Sequence, residues 1–408
     1  VNILASAYAC DPYDGSERAV GWNWICEIDN FHQVTALVSS VYKCNIEDYK
    51  RNNPDSLKNT EFVYIAVPKP LSFWHRGYRG ERIYYIMWQI CAANVAKKLV
   101  LKQKFDLVHH ITYVTCVLPT YMHKLGLPFL YGPVAGGDQI PKVIGYPIGF
   151  KTAIFEKVRK FSQIIFTSTP NFKRTVKFAS MILTATEETS RLIPKKYHNK
   201  IKIFQAIGLS DQFLYPEPQF KQNKKCRFLM VGRMLKLKGF EIGIDAFVSA
   251  LNTGINAELV ILGDGNSEHL RTLKKKSETV HEAIKFTEQV EYKKMRQFYQ
   301  EFDVLLNCSM RDSGGFVVIE AMGCGLPVIC IDTAGPKVNT TIDSAIKIKP
   351  ANYSVMKKNL KEAIINMANN PELRETMGRA AYNRAINKFA ASNRTKIMNE
   401  FYNQIITK

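Results

Sequence analysis

A chain of 408 residues, 46% of them hydrophobic, is too long for one ordinary core and apolar enough to fill two, so two domains of roughly 200 residues are expected. Lys and Arg number 56 against 36 Asp and Glu, a formal net charge of +20, which favours phosphorylated ligands or anionic membrane surfaces. No zinc-finger spacing or RNP-like aromatic motif accompanies the basic residues, so nucleic acid is not an expected partner. Nine cysteines without a Cys-x-x-Cys pair read as small buried hydrophobes in a reducing compartment.

The first half alternates strand-like runs at 1–9, 34–40, 62–68, 106–111, 129–134 and 181–186 with helical patterns near 17–29, 83–103 and 151–164. That alternation predicts an α/β, doubly wound parallel sheet. The first run has no basic leader and no cleavage pattern, and the apolar stretch from Ile83 to Leu101 is broken by Gln89, Asn94, Lys97 and Lys98. The stretch therefore predicts an amphipathic helix, and the chain a cytoplasmic, soluble protein.

Between the first strand and first helix, Asp11 to Arg18 contains Gly15, which permits close backbone approach, then Ser16 and Glu17. Ser16 suits an N-cap and Glu17 a first helical turn, so local capping accounts for these two as well as a ligand does. Trp74, His75, Arg76, Tyr78, Arg79 and Arg82 mix aromatic and basic groups, a composition that suits a peripheral contact with the anionic inner face of a membrane or an ordinary packed loop. At 106–113 a strand ends in His109 and His110. Side chains alternate on a strand, so at most one of them faces a crevice at its end, and His110 is the nearer. Gly132-Pro133-Val134-Ala135-Gly136-Gly137-Asp138 closes the next strand with a glycine-rich loop.

A join near 203–222, marked by Gly208, Pro216 and Pro218, divides the chain into 1–205, 206–385 and a terminal helical segment 386–408. The second half repeats the alternation, with strands at 227–232, 257–263, 284–288, 304–309 and 327–332 and helices near 239–251, 268–279, 292–301 and 315–323. Its first turn, Gly232 to Gly239, carries Arg233 and Lys238, two cations suited to a diphosphate whose charge builds as it leaves. Gly263-Asp264-Gly265 forms the next strand-to-helix turn, and Phe286-Thr287-Glu288 ends the third strand.

Arg311 to Met322 reads as strand end, glycine turn and helix. Gly314 and Gly315 let the backbone approach a ligand, and the helix opening at Phe316 aims its N–H groups and positive dipole end at an anion. Asp312 and Glu320 flank that turn. Carboxylates repel phosphate but accept hydrogen bonds from hydroxyls, so the pair suits a phosphate that carries sugars.

This segment resembles the donor signature of retaining glycosyltransferases of the family 4 type, which have the GT-B fold. The family's form is Glu, seven residues, Glu, followed by Gly-x-Pro-Val; here the second acid is Glu320 and the tail Gly325-Leu326-Pro327-Val328, while Asp312 replaces the first Glu. Gly232-Arg233 and Lys238-Gly239 match the family's diphosphate-binding turn, Gly263 its Gly-x-Gly turn and Gly15 its glycine-rich loop, and Glu288 departs from its Phe-x-Gly. The resemblance implies two Rossmann-like domains facing across a cleft, with the last helix packing on the first domain. It also implies a UDP-, GDP- or other nucleoside diphosphate sugar donor between them, no metal or other cofactor, and a glycan or lipid-linked acceptor in surface polysaccharide or glycoconjugate synthesis. Arg233, Lys238 and Gly315 would bind the diphosphate, and Glu320 the ribose. Asp312 with the Gly314–Phe316 backbone would bind the transferred sugar, and His110 would lie near it. The rival readings are a GT-B epimerase, a phosphorylase and a binding subunit with a degenerate donor site.

Overall fold

A computed structural model of the chain describes residues 1–15, 17–72, 80–141, 149–220, 225–263, 267–287 and 289–407. Ser16, Asp264, Gly265, Glu288 and all of the 74–82 patch but Arg82 lie outside the described residues. Two compact units form: one comprises 1–137, 157–208 and 394–408, the other 138–156 and 209–393.

In the first unit, strands β1 (Asn2–Ala7), β2 (Gln33–Ser39), β3 (Thr60–Ile65), β4 (Leu107–Thr112), β5 (Phe129–Val134), β6 (Met181–Thr184) and β7 (Ile201–Ile203) form a parallel sheet. Their order is β3-β2-β1-β4-β5-β6-β7. The second unit's sheet, also parallel, joins β8 (Cys226–Val231), β9 (Ala257–Leu262), β10 (Ile284–Thr287), β11 (Val304–Asn307), β12 (Val328–Ile331) and β13 (Ala345–Ile348) in the order β10-β9-β8-β11-β12-β13. Alternation along β8 shows why these strands are apolar throughout. Phe228 and Met230 enter one core and Leu229 the other, because helices cover both faces of a parallel sheet. Cys10, Cys226, Cys308, Cys324 and Cys330 are buried, as small hydrophobes are.

Each sheet reverses its winding direction once, between β1 and β4 and between β8 and β11. At such a point the loops leaving the two strands diverge and open a crevice beyond their C-terminal ends. The first crevice lies between the Ala9–Glu17 and Tyr113–Leu118 loops, the second between Gly232–Gly239 and Cys308–Gly315.

The amphipathic helix spans Glu81–Lys102 and buries Tyr84, Tyr85, Trp88, Ala92 and Ala96 at helical spacing. β7 and β13 had no strand pattern in sequence; both are edge strands, and β7 leaves all its residues at least partly exposed. The segment 372–408, continuously helical in pattern, is two helices, Pro371–Phe389 and Ala391–Ile406. Ala390 is extended between them, and the Phe389 carbonyl accepts from the Leu209 N–H at 2.6 Å. A tertiary backbone contact thus interrupts the local helical pattern. The last helix joins the first unit, where the Tyr402 hydroxyl meets His109 Nδ1 at 2.9 Å and Arg394 meets Glu27 at 3.3 Å.

Candidate active site

In the second unit, β8 delivers its chain into a turn that ends at Gly239, and β11 delivers its own into the Ser309–Gly315 loop. The two meet closely. Gly239 has φ +71°, and a Cβ there would lie 2.0 Å from the Cys308 carbonyl oxygen, so only glycine lets the turn pass under β11's end. Lys238 precedes it, and its Nζ lies 2.6 Å from Asp312 Oδ2, with both side chains largely but not wholly buried. Two residues that the sequence assigned to different parts of a ligand are therefore neighbours. Arg233 is exposed on the same turn, and Gly263 ends β9 beside it, where a Cβ would lie 1.9 Å from the Gly232 oxygen.

Asp312 does more than pair with a lysine. Its Oδ1 accepts the Gly315 N–H at 3.1 Å and its backbone oxygen accepts the Gly335 N–H at 2.7 Å. Asn339 Nδ2 donates to the Gly314 oxygen at 2.9 Å. These bonds hold the glycine turn against the Ala334–Asn339 helix and fix the start of the Phe316–Gly323 helix, whose N-cap, Gly315, has φ +58°. Side chains on either side of Asp312 tie in the 138–156 segment: Ser313 donates to the Asp138 carboxylate and Arg311 pairs with Glu156. The glycine-rich loop after β5 thus ends, at Asp138, in the second unit.

Glu320 lies one turn into this helix and accepts from the Tyr299 hydroxyl at 2.9 Å. Burial pushes its carboxyl up to about 7, against a smaller lowering by the Tyr299 bond. A carboxyl poised near neutrality beside a helix start can accept hydroxyl hydrogen bonds once ionised.

In the first unit, Gly15 is exposed, with nothing within 4 Å of where its Cβ would be, and its N–H is held by Asp14 Oδ1 at 2.7 Å. Glu17 opens the first helix but turns its carboxylate to the Val114 N–H beyond β4. Burial pushes that carboxyl also up to about 7. His109 is a core residue, bonded to Tyr402 and to the Gly132 oxygen. His110 is 1% exposed, packed by the Tyr131 ring, and burial drives it down to about 3, so it is neutral.

A cavity of about 650 Å³ lies at this unit's crevice, lined by Glu17, Glu81, Ile83, Tyr113, Val117 and Leu118 among others. Glu81 accepts from the hydroxyls of Tyr8 at 2.7 Å and Tyr113 at 2.8 Å. Sequence reasoning did not single out Glu81 or Tyr113. The available signal was an acid opening the long helix after Gly80, which reads equally as a dipole contact. Among the described residues, no group of three His, Cys, Asp or Glu side chains is arranged to hold a metal ion.

Residues 211–384 match the family model described as glycosyl transferases group 1. Among curated proteins, a GDP-mannose-dependent monoacylated alpha-(1-6)-phosphatidylinositol monomannoside mannosyltransferase of Corynebacterium glutamicum is 23% identical over 65% of this chain. That alignment spans 63% of the relative's own length. An uncharacterized glycosyltransferase of Methanocaldococcus jannaschii is 24% identical over 79% of this chain and 81% of its own. Among solved structures, Anabaena Alr3699/HepE in complex with UDP and glucose superposes with a TM-score of 0.61 at 13% identity, covering 98% of this chain and 99% of that one. At that identity the likeness shows the fold, two Rossmann-like domains of the GT-B type.

Proposed function

We propose that this chain, whose residues 211–384 match the family model described as glycosyl transferases group 1, moves a sugar from a nucleoside diphosphate sugar to a hydroxyl of a glycan or lipid-linked acceptor, with retention and without a metal ion. The observation that carries this reading is the meeting of Lys238 and Asp312 beside the Gly315 helix start. A cation for the phosphates, a carboxylate for the sugar hydroxyls and a helix dipole for the developing charge then share one crevice.

In this mechanism the bond from the sugar's anomeric carbon to the phosphate oxygen breaks and a bond to the acceptor oxygen forms on the same face. The acceptor's proton passes to the departing phosphate, so no protein nucleophile is needed. Lys238 and Arg233 balance the diphosphate, Glu320 holds ribose hydroxyls, and Asp312 with the Gly314–Phe316 backbone orients the sugar. The 650 Å³ cavity of the first unit takes the acceptor, with Glu17 and Glu81 receiving its hydroxyls and Ile83, Val117 and Leu118 facing an apolar portion. The acceptor of the corynebacterial relative, a phosphatidylinositol mannoside, supports a lipid-linked class of acceptor in glycoconjugate synthesis.

The test is a thermal-shift screen of UDP- and GDP-sugars followed by product analysis. A ligand at a hundredfold its Kd raises stability by about 2.7 kcal/mol. Release of free nucleotide with an extended acceptor is the expected outcome; an isomerised donor, a sugar phosphate or no turnover over a broad acceptor panel contradicts the reading.

A further inference from the structure

The helix Phe150–Ser168 departs from how a helix of a globular protein is normally dressed. At about 100° per residue, Phe150, Ile154, Val158, Phe161, Ile164 and Ile165 fall within an arc of about 120°, with Lys157 inside that arc and Phe155 about 60° beyond it. A stripe of that width ordinarily faces a core. Here it faces outward: Phe150 is 80% exposed, Phe161 65%, Val158 61% and Ile164 57%. The opposite side is the one bonded to protein, since Arg159 donates to the Gly136 oxygen at 3.2 Å, Gln163 donates to the same oxygen, and Glu156, the helix's one acid, is paired with Arg311. An outward apolar stripe of this kind on a protein surface marks a docking site.

Charge identifies what docks. Lys157 and Lys160 are exposed on or beside the stripe, and from 157 to 186 the chain carries six Lys or Arg and no Asp or Glu. A second copy of a chain with net charge +20 would bring like charges together around the stripe. An anionic bilayer instead supplies both a counter-charge and an apolar phase. No helix among the described residues is long and apolar enough to cross a membrane, whereas a helix with phenylalanine and isoleucine on one side and lysines within and beside that side lies in the plane of the interface.

We propose that the outward face of the Phe150–Ser168 helix is a membrane-docking surface that inserts its aromatic and aliphatic side chains among the lipids while Lys157 and Lys160 engage anionic headgroups. The inference goes beyond the transferase reading and stands on the helix surface alone.

The experiment is flotation of the full chain with vesicles of phosphatidylcholine alone or with about a quarter phosphatidylglycerol. Wild type is expected to float with the anionic vesicles. Val158→Glu with Phe161→Glu should lower partitioning at least about tenfold, and Lys157→Glu with Lys160→Glu should abolish the preference for anionic over neutral vesicles. All four residues are exposed, so the melting temperature should stay within about two degrees of wild type. Flotation of the apolar double variant equal to wild type overturns the proposal, as does failure of wild type to float. Dissociation of a wild-type dimer by that variant, with flotation unchanged, would assign the stripe to a second copy and overturn it too. The assay reads no sugar transfer, so its failure leaves the transferase reading standing, and failure of that reading leaves flotation intact.

Discussion

The two acids that flank the glycine turn differ in what holds them, and their substitutions should differ accordingly. Asp312 is engaged by Lys238 and the Gly315 amide; Glu320 is buried against Tyr299. Asp312→Ala should lower turnover strongly with little change in affinity for bare nucleoside diphosphate, because a contact to the sugar acts in the transition state. Glu320→Ala should weaken the nucleotide itself. Calorimetry with UDP and GDP beside steady-state rates separates the two, and intact turnover in Asp312→Ala removes the sugar-binding role. Arg233→Ala and Lys238→Ala should each cost about 2–4 kcal/mol of transition-state stabilisation; turnover of both within about threefold of wild type would end the assignment. The raised carboxyls of Glu17 and Glu320, near 7 instead of 4.5, also make stability depend on pH. The native state holds extra protons between those values, so their contribution is complete below about pH 4.5 and is lost as pH rises through 7. The melting temperature should fall by several degrees from about pH 5 to pH 8, and Glu17→Gln with Glu320→Gln should flatten that slope.

Loop geometry at the scale of single elements is set by close backbone passage. Gly239 starts the Phe240–Leu251 helix from a left-handed conformation under the Cys308 carbonyl. Gly239→Ala combines an unfavourable φ with a backbone overlap that no side-chain rotation relieves, and should cost about 2–4 kcal/mol in chemical denaturation. A loss below about 1 kcal/mol would mean that the turn relaxes freely. The glycine-lysine pattern of this turn was readable from sequence, as was the strand, turn and helix around Gly315. The helix Lys43–Asn52 was not, because it buries only Ile46 and so carries no apolar stripe to read. β13 was missed because its four residues, at a sheet edge, leave two only partly buried.

Within the first unit, chain ends far apart in sequence share one core. Arg394 is 1% exposed, donates to the Gln205 oxygen at 2.9 Å, reaches Glu27 at 3.3 Å and lies over the rings of Trp24 and Phe204. Burial raises the Glu27 carboxyl above its ordinary value, and the Arg394 guanidinium beside it offsets that rise only in part. Arg394→Ala should destabilise by about 3–5 kcal/mol, the usual consequence of leaving one member of a buried pair behind. Thermal unfolding measures this, and a change under about 1 kcal/mol would show the last helix to be dispensable for the unit.

The sequence by itself determined the two parallel α/β units and the ranges of most of their principal strands, and it pointed to Arg233, Lys238, Asp312 and Glu320 as the candidate residues of one glycine-turn site. Local pattern suffices there, since buried parallel strands must be apolar along their whole length and glycine turns must recur where backbones pass closely. Only the tertiary structure decided that Lys238 meets Asp312 across two loops, that Glu17 and Glu81 line one cavity, and that both His109 and His110 are buried. It also turned the stripe of the Phe150–Ser168 helix outward. Periodicity tells which side chains share a face, but which face is covered depends on contacts between residues distant in the chain, and no local window of sequence contains them.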